Sequence, residues 1–397
     1  MKNIMSFMIC ICLALQLTGC TFRPAKQTPP PIAPQTTSAD EESRITNTAD
    51  ISDTMHSIGL YPMKESVATK DSTPLFSLTY QDIALTLHND VLEEKIIDDL
   101  CARSEPLLKE ADEIKTQAQQ DCLKTEYCPE YFVDISYTPT RFDGSVLSLF
   151  RNTTSYYGGA HPAIVTSSVT YDLRSGEALY LDEVLSSDCT SDDLYQLIVR
   201  NLDSQSDDLY YDYVDAVGDR FTGELHSLQN WYFSRSGLCF HFAPYEIAPY
   251  SSGTIIAELP YSSLTGVIKE QYFPQKTPEA TGSMYANTYA ESDKERFNFI
   301  ADIPLCASGK DILLFPDATV TDLRIETGYR YSDTGQYIAT NTIFAANAVT
   351  VGDAMHLTAD IHNPDSLLRL VYHSNQQEYS AFISYDDTIN SVILTKE

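Results

Sequence analysis

Two segments of this chain carry the side chains best suited to making contacts. Tyr156-Tyr157-Gly158-Gly159-Ala160-His161-Pro162 lies between two stretches of alternating apolar and polar residues. Paired glycines let the backbone take positive φ or let another chain approach closely, and tyrosine and imidazole offer apolar bodies with polar tips. The same residues would also serve as a β-bulge whose His161 satisfies a buried carbonyl. The second segment is Pro244-Tyr245-Glu246-Ile247-Ala248-Pro249-Tyr250-Ser251-Ser252-Gly253. Two prolines stiffen it while two tyrosines project, the arrangement of rigid aromatic anchors in protein recognition. A structural crossover whose tyrosines plug the core fits this string equally well. The candidate partner-binding residues are therefore Tyr157, Gly158, Gly159, His161, Tyr245, Glu246, Pro249 and Tyr250.

Catalytic and metal chemistry have less support. Asp208, Asp212, Asp215 and Asp219 would share one face of a helix and attract Ca²⁺ or a basic partner, but the loop signature of a calcium site is missing and a solvated acidic face explains them better. The sequence holds no G-x-G-x-x-G, H-E-x-x-H, G-x-S-x-G or S-x-x-K string, so the common nucleotide, zinc-protease and serine-hydrolase constellations are unsupported. His356 and His362 are the closest to a ligand pair, and weakly so. No cofactor, metal or catalytic residue is expected. The enzymatic alternative is a divergent hydrolase or deacetylase in which His161 works with a carboxylate supplied by the fold.

The elements that must position the two segments follow from periodicity. Phe76, Leu78 and Tyr80, then Ile83, Leu85 and Leu87, alternate as in a strand. A helix follows from Asp90-x-x-Glu93 to about Leu123, with a kink or restart expected at Pro106. Tyr131 to Tyr137 and Val146 to Phe150 read as a hairpin turning at Asp143-Gly144. Val165 to Leu173 alternates most clearly, and Thr190-x-x-Asp193 opens a helix with Leu194, Leu197, Ile198 and Leu202 on one face. Trp231 to Phe242 reads as another hairpin, Ile255 to Leu259 as a strand, and Leu264 to Tyr272 as a short helix. Together these give an α+β fold, an antiparallel sheet with packed helices, over residues 73–275. Residues 276–292 read as a linker, and 293–397 as a small all-β, sandwich-like domain.

Composition and the amino terminus place the chain. Its 397 residues include 56 acidic and 26 basic side chains, a formal net charge of -30, which argues against nucleic acid as a partner. An apolar run from Ile4 to Leu17 is too short to span a bilayer and ends in Leu17-Thr18-Gly19-Cys20, a string similar to a bacterial lipobox. Residues 1–19 are thus expected to be a lipoprotein signal peptide, with Cys20 the lipid-attachment site and 20–72 a Pro/Thr/Ser-rich tether on the extracellular face of a membrane. Of the remaining cysteines, Cys101, Cys122, Cys128, Cys189, Cys239 and Cys306 permit fifteen pairings among which sequence does not choose.

The order of these strings is itself distinctive. Gly144 to Leu149, Tyr157-Gly158-Gly159-Ala160-His161-Pro162, Tyr171 to Glu177, Gly237-Leu238 and Phe242 to Gly253 together resemble the extracytoplasmic domain shared by the anti-sigma factor RsiV and the peptidoglycan deacetylase PdaC. The likeness covers about residues 75–275. It implies an α+β fold and a non-catalytic role at the cell surface, and in the RsiV branch it implies direct binding of lysozyme in envelope-stress sensing. The sigma-binding segment, the retained transmembrane helix and the deacetylase domain have no counterpart in this chain, so neither relative's whole activity carries over. The expected partner is a basic protein such as lysozyme. The alternative is a cell-wall component, with tyrosines stacking on peptidoglycan sugars.

Overall fold

Alternating apolar and polar side chains build most of this chain into strands. A computed structural model describes residues 55–69, 72–123, 129–221, 225, 228–274, 280–331, 334, 336–361, 367–386 and 391–396. The signal segment, Cys20, the tether up to residue 54, Cys128 and His362 lie outside them.

The strands and helices are, in order, β1 (Ser57–Ala68), β2 (Pro74–Thr86), α1 (Asp90–Cys122), β3 (Tyr131–Phe142), β4 (Val146–Tyr156), β5 (Ala163–Asp172), β6 (Glu177–Ala178), α2 (Leu181–Val184), α3 (Ser191–Leu202), α4 (Tyr213–Phe221), β7 (Trp231–Phe233), β8 (Gly237–Phe242) and β9 (Ile255–Pro260). They continue with β10 (Met284–Thr288), β11 (Asn298–Pro304), β12 (Lys310–Pro316), β13 (Val320–Arg330), β14 (Tyr337–Val349), β15 (Asp353–Ala359), β16 (Leu367–Ser374), β17 (Gln377–Asp386) and β18 (Ser391–Lys396). Among the described residues no helix is long and apolar enough to cross a membrane.

An eleven-stranded sheet runs β18-β17-β16-β13-β14-β1-β2-β3-β4-β5-β6. Its pairs are antiparallel except β2–β3, which are parallel and joined by α1 as the crossover. The helix starts one residue earlier than its acidic signal suggests. Asn89 is the N-cap, its side chain accepting from the Leu92 amide at 3.3 Å, while Glu93 reaches back to the Leu87 amide at 2.7 Å. It then runs through Pro106 as one helix, so the expected restart does not occur. Ile96, Leu100, Ala111, Ile114 and Ala118 bury its inner face against β2 and β3.

A second layer forms where β7, β8 and β9 make a three-stranded sheet covered by α3 and α4. The Thr190–Asp193 capping box is present, and Leu194, Ile198 and Leu202 are fully buried. This small sheet packs on β4 and β5, so Ser168 and Thr170, on what should be a solvent face, are buried as well. Arg141 ties the layers together. Its 3% exposed guanidinium donates to Asp143 (2.7 Å), Ser145 (3.0 Å), the Tyr261 hydroxyl (2.8 Å) and the Tyr272 carbonyl (2.6 Å). Burial raises the Asp143 carboxyl, but Arg141 and the Ser145 hydrogen bonds outweigh it and hold the group below its usual range.

Three expectations are corrected here. Order begins well before Leu75. Ser57–Ala68, assigned to the tether, is a strand because β2 pairs with it along its length and its alternating Ile58 and Leu60 reach the core. The segment 276–292 is not simply a linker, since Met284–Thr288 pairs with β12. The C-terminal strands keep a core of their own, but part of them is continuous with the large sheet. β10, β12, β15 and β11 make a four-stranded sheet that shares one core with β13, β14 and β16 to β18, and the latter belong to the large sheet. In addition, Leu264 to Tyr272 is not a helix: Thr265 and Ile268 form isolated β-bridges, and only Glu270–Tyr272 makes a 3-10 turn. Cys122 is disulfide-bonded, whereas Cys101, Cys189, Cys239 and Cys306 are unbridged thiols.

Candidate binding site

The loop from β4 to β5 and the loop from β8 to β9 meet. Gly158 and Gly159 take φ of 95° and 124°, which side chains other than glycine rarely adopt. The turn they make is braced by the Tyr156 hydroxyl, which donates to the Gly159 carbonyl at 3.2 Å. It delivers His161 to the other loop. His161 Nδ1 donates to the Pro162 carbonyl at 2.9 Å, which leaves Nε2 to accept from the Tyr245 hydroxyl at 3.0 Å.

Tyr250 completes the group. Its ring stacks on His161 with centroids 4.1 Å apart and planes 28° from parallel. Tyr245 lies 5.8 Å from the imidazole and 5.6 Å from the Tyr250 ring. Three aromatic side chains from two distant segments thus form one cluster, and its outer member, Tyr245, is 56% exposed. Tyr157 is 47% exposed but makes no ring contact with the cluster.

The second loop is held rigidly from beneath. Ile247 and Ala248 are buried in the core, and the Tyr210 amide donates to the Ile247 carbonyl at 2.9 Å. Tyr245 itself takes φ +71°, a strained conformation for a tyrosine, fixed by its amide bond to the Ala248 carbonyl at 3.0 Å. Pro249 is exposed and caps a 3-10 turn that carries Tyr250. Glu246 does not face outward as a contact residue should. It is half-buried, accepts from the Ala243 amide at 2.9 Å and pairs with Arg220, whose guanidinium lies 5.0 Å from the Phe242 ring centroid. Burial pulls Arg220 down to about 10, which leaves it charged at neutral pH. Glu246 and Arg220 are therefore supports of the site, and Arg220 had no signal in the sequence beyond its charge.

Two other candidates resolve differently. Asp208, Asp212, Asp215 and Asp219 are exposed but do not share a helix: Asp208 closes a 3-10 segment, Asp212 precedes α4, and only Asp215 and Asp219 lie in it. Among the described residues no group of His, Cys, Asp or Glu is arranged to hold a metal ion. His161 has as hydrogen-bond partners a carbonyl and a phenol, and no carboxylate is among them.

His241, unremarked in the sequence, lies in β8 just before the second loop at 1% exposure. Thr166 Oγ1 is 2.9 Å from Nδ1, and Ser168 Oγ is 3.2 Å from Nε2. Ser168 Oγ also lies 2.5 Å from the Trp231 carbonyl and 3.1 Å from the Gln229 carbonyl, so its one proton goes to a carbonyl. His241 Nε2 then donates to Ser168, and Thr166 donates to Nδ1. The serine is a buried acceptor rather than a nucleophile, and the imidazole bridges two sheets. Burial, with the nearby Arg220 charge, pushes His241 down to about 4.

Residues 186–262 match a family described as a protein of unknown function (DUF3298). That span contains Tyr245, Tyr250, Arg220 and His241 but not His161. The chain is similar to the crystal structure of a DUF3298 family member from Bacteroides fragilis, at 18% identity over 54% of this chain and 94% of that one, with a TM-score of 0.41. It is also similar to a DUF3298 family protein from Pseudomonas aeruginosa, at 15% identity over 57% of this chain and all of that one, with a TM-score of 0.39. No curated protein matches it.

Proposed function

We propose that this chain is a bacterial lipoprotein, anchored through Cys20 on the outer face of the membrane, that binds a basic protein without chemical turnover. The observation that carries the reading is the convergence of His161, Tyr245 and Tyr250 on one solvent-facing cluster from loops 84 residues apart. Such a cluster has the character of a recognition anchor: flat rings, polar tips, and little conformational freedom to lose on binding. A net charge of -30 would steer a cationic partner and raise its association rate. The resemblance to the RsiV branch makes lysozyme the first partner to try, in envelope-stress sensing or defence. It also supports assigning residues 73–275 to an RsiV/PdaC-like fold, with a sandwich-like arrangement after it.

Calorimetric titration of the chain lacking residues 1–20 with lysozyme tests this, at low and physiological salt. Dissociation constants in the micromolar range or tighter, weakening with salt, are expected. Absence of heat at tens of micromolar at both salts removes lysozyme. Retention of the protein on purified cell wall instead would move the assignment to glycan binding.

A further inference from the structure

The hydrophobic cores on either side of β1 are almost separate. Among the described residues, Ala345 is the single contribution from beyond residue 280 to the core under α1. Tyr61 is the single contribution from before residue 280 to the core shared by the C-terminal strands. The hydrogen-bonded backbone link between them is short, although β14 also lies beside β3 and β1 beside β11. β1 pairs with β2 from Ser57 to Ala68, but with β14 only at Ser57↔Ala346, Ile58↔Ala345 and Gly59↔Phe344. His56 lengthens this ladder slightly, through its amide to Asn347 Oδ1 at 2.6 Å and its carbonyl to the Asn347 amide at 3.0 Å. Pro62 follows within the same strand, past the end of the β14 pairing, where a missing donor costs no bond on that side.

A second contact bridges the same two parts. Arg235, at the β7–β8 turn, places Nη2 3.3 Å from the Asp322 carbonyl and 3.5 Å from its carboxylate. Asp322 sits in β13 at φ +52°, and His373 Nδ1 lies 3.6 Å from its other oxygen. This seam is imperfectly satisfied. Arg235 Nη1, Arg324 Nε and His373 Nδ1 are buried there without a hydrogen-bond partner.

We propose that the β1–β14 ladder is a hinge and the Arg235–Asp322 contact its latch, so that the strands from β10 onward swing against the part bearing the aromatic cluster. Bodies with separate cores move relative to one another unless a large apolar interface joins them, and hinges are commonly a few residues at element ends. The latch is a single partly buried ion pair at 3.5 Å, with Arg235 Nη1 left without a hydrogen bond, so few contacts hold it closed.

Single-molecule energy transfer tests this on the chain lacking residues 1–20, with dyes on unnatural residues replacing Tyr211 and Val351, which are 98% and 70% exposed. Wild type should show one narrow distance distribution. Arg235→Ala and Asp322→Asn should each broaden it about twofold or add a second population, as should about 1 M salt. Amide exchange at Ile58 and Gly59 should quicken about tenfold in the variants while β3 and β4 stay protected. Distributions and exchange unchanged in both variants would overturn the hinge. Should Arg235→Ala lose its circular-dichroism signal, the isosteric Asp322→Asn decides alone. Since these readouts involve no ligand, they stand apart from the partner assigned above.

Discussion

The Tyr245 hydroxyl donates to His161 Nε2 across 3.0 Å, and this one bond joins two loops that the chain separates by 84 residues. The imidazole can accept it because Nδ1 is already committed to the Pro162 carbonyl. The two side chains therefore fix each other's orientation before any partner arrives, which lowers the ordering cost of binding.

Truncating that pair should show the difference between ring and hydroxyl. Tyr245→Phe keeps the ring and loses one exposed hydrogen bond, so affinity for the partner should fall about threefold to tenfold. Tyr245→Ala or Tyr250→Ala removes an anchor ring and should cost about 2 kcal/mol of binding or more. Titration calorimetry reads both, and unchanged affinity in the alanine variants would remove the cluster from the interface.

Arg141 should matter to stability and not to binding. Arg141→Ala leaves the Asp143 carboxylate buried without its cation and strips donors from Tyr261 and the Tyr272 carbonyl. The loss expected is about 3–5 kcal/mol in urea unfolding. A loss under about 1 kcal/mol would mean that water replaces the guanidinium, contrary to its burial.

His241 gives the fold an acid sensitivity. Its folded value of about 4 lies below the ordinary 6.5, so between those limits the unfolded chain takes up a proton that the native state refuses. Stability from this group is complete above pH 6.5 and declines as pH falls toward 4, by about 3 kcal/mol in total. His241→Gln should flatten that segment of the stability–pH curve; an unaltered curve would assign the acid sensitivity elsewhere.

Gly237 opens β8 where no side chain fits. A methyl group there would stand 2.0 Å from the Leu259 carbonyl oxygen across the β8–β9 ladder. Gly237→Ala should therefore destabilise by about 3 kcal/mol or more, read as a lowered urea midpoint, because backbone rather than a movable side chain has to shift.

What could be read from the sequence was local. The Asp143-Gly144 hairpin, the Thr190–Asp193 capping box and the alternation of Tyr131, Val133, Ile135 and Tyr137 each declare themselves within a dozen residues, and each is present. What escaped depended on distant partners. Ser57–Ala68 carries only Ile58 and Leu60 as clear alternation, and it is a strand because β2 and β14 flank it. Ser168 and Thr170 look solvated until the three-stranded sheet covers them, and His241 becomes meaningful only beneath that cover. Of the site, the tyrosines and His161 could be named from composition and stiffness. Glu246 reads as an outward charge in sequence, yet it is half-buried and paired with Arg220, a residue 26 positions away whose role no local pattern reveals.

The closing of β14 onto β1 also constrains when this protein can finish folding. His56 and Asn347 are 291 positions apart, so the ladder they extend must wait until nearly the whole polypeptide has been made. During that interval β1 offers an unpaired border to its surroundings, a hazard for misassociation. Premature stop codons upstream of residue 344 should thus yield chains that aggregate or are degraded, even though every residue of the aromatic cluster has already been synthesised.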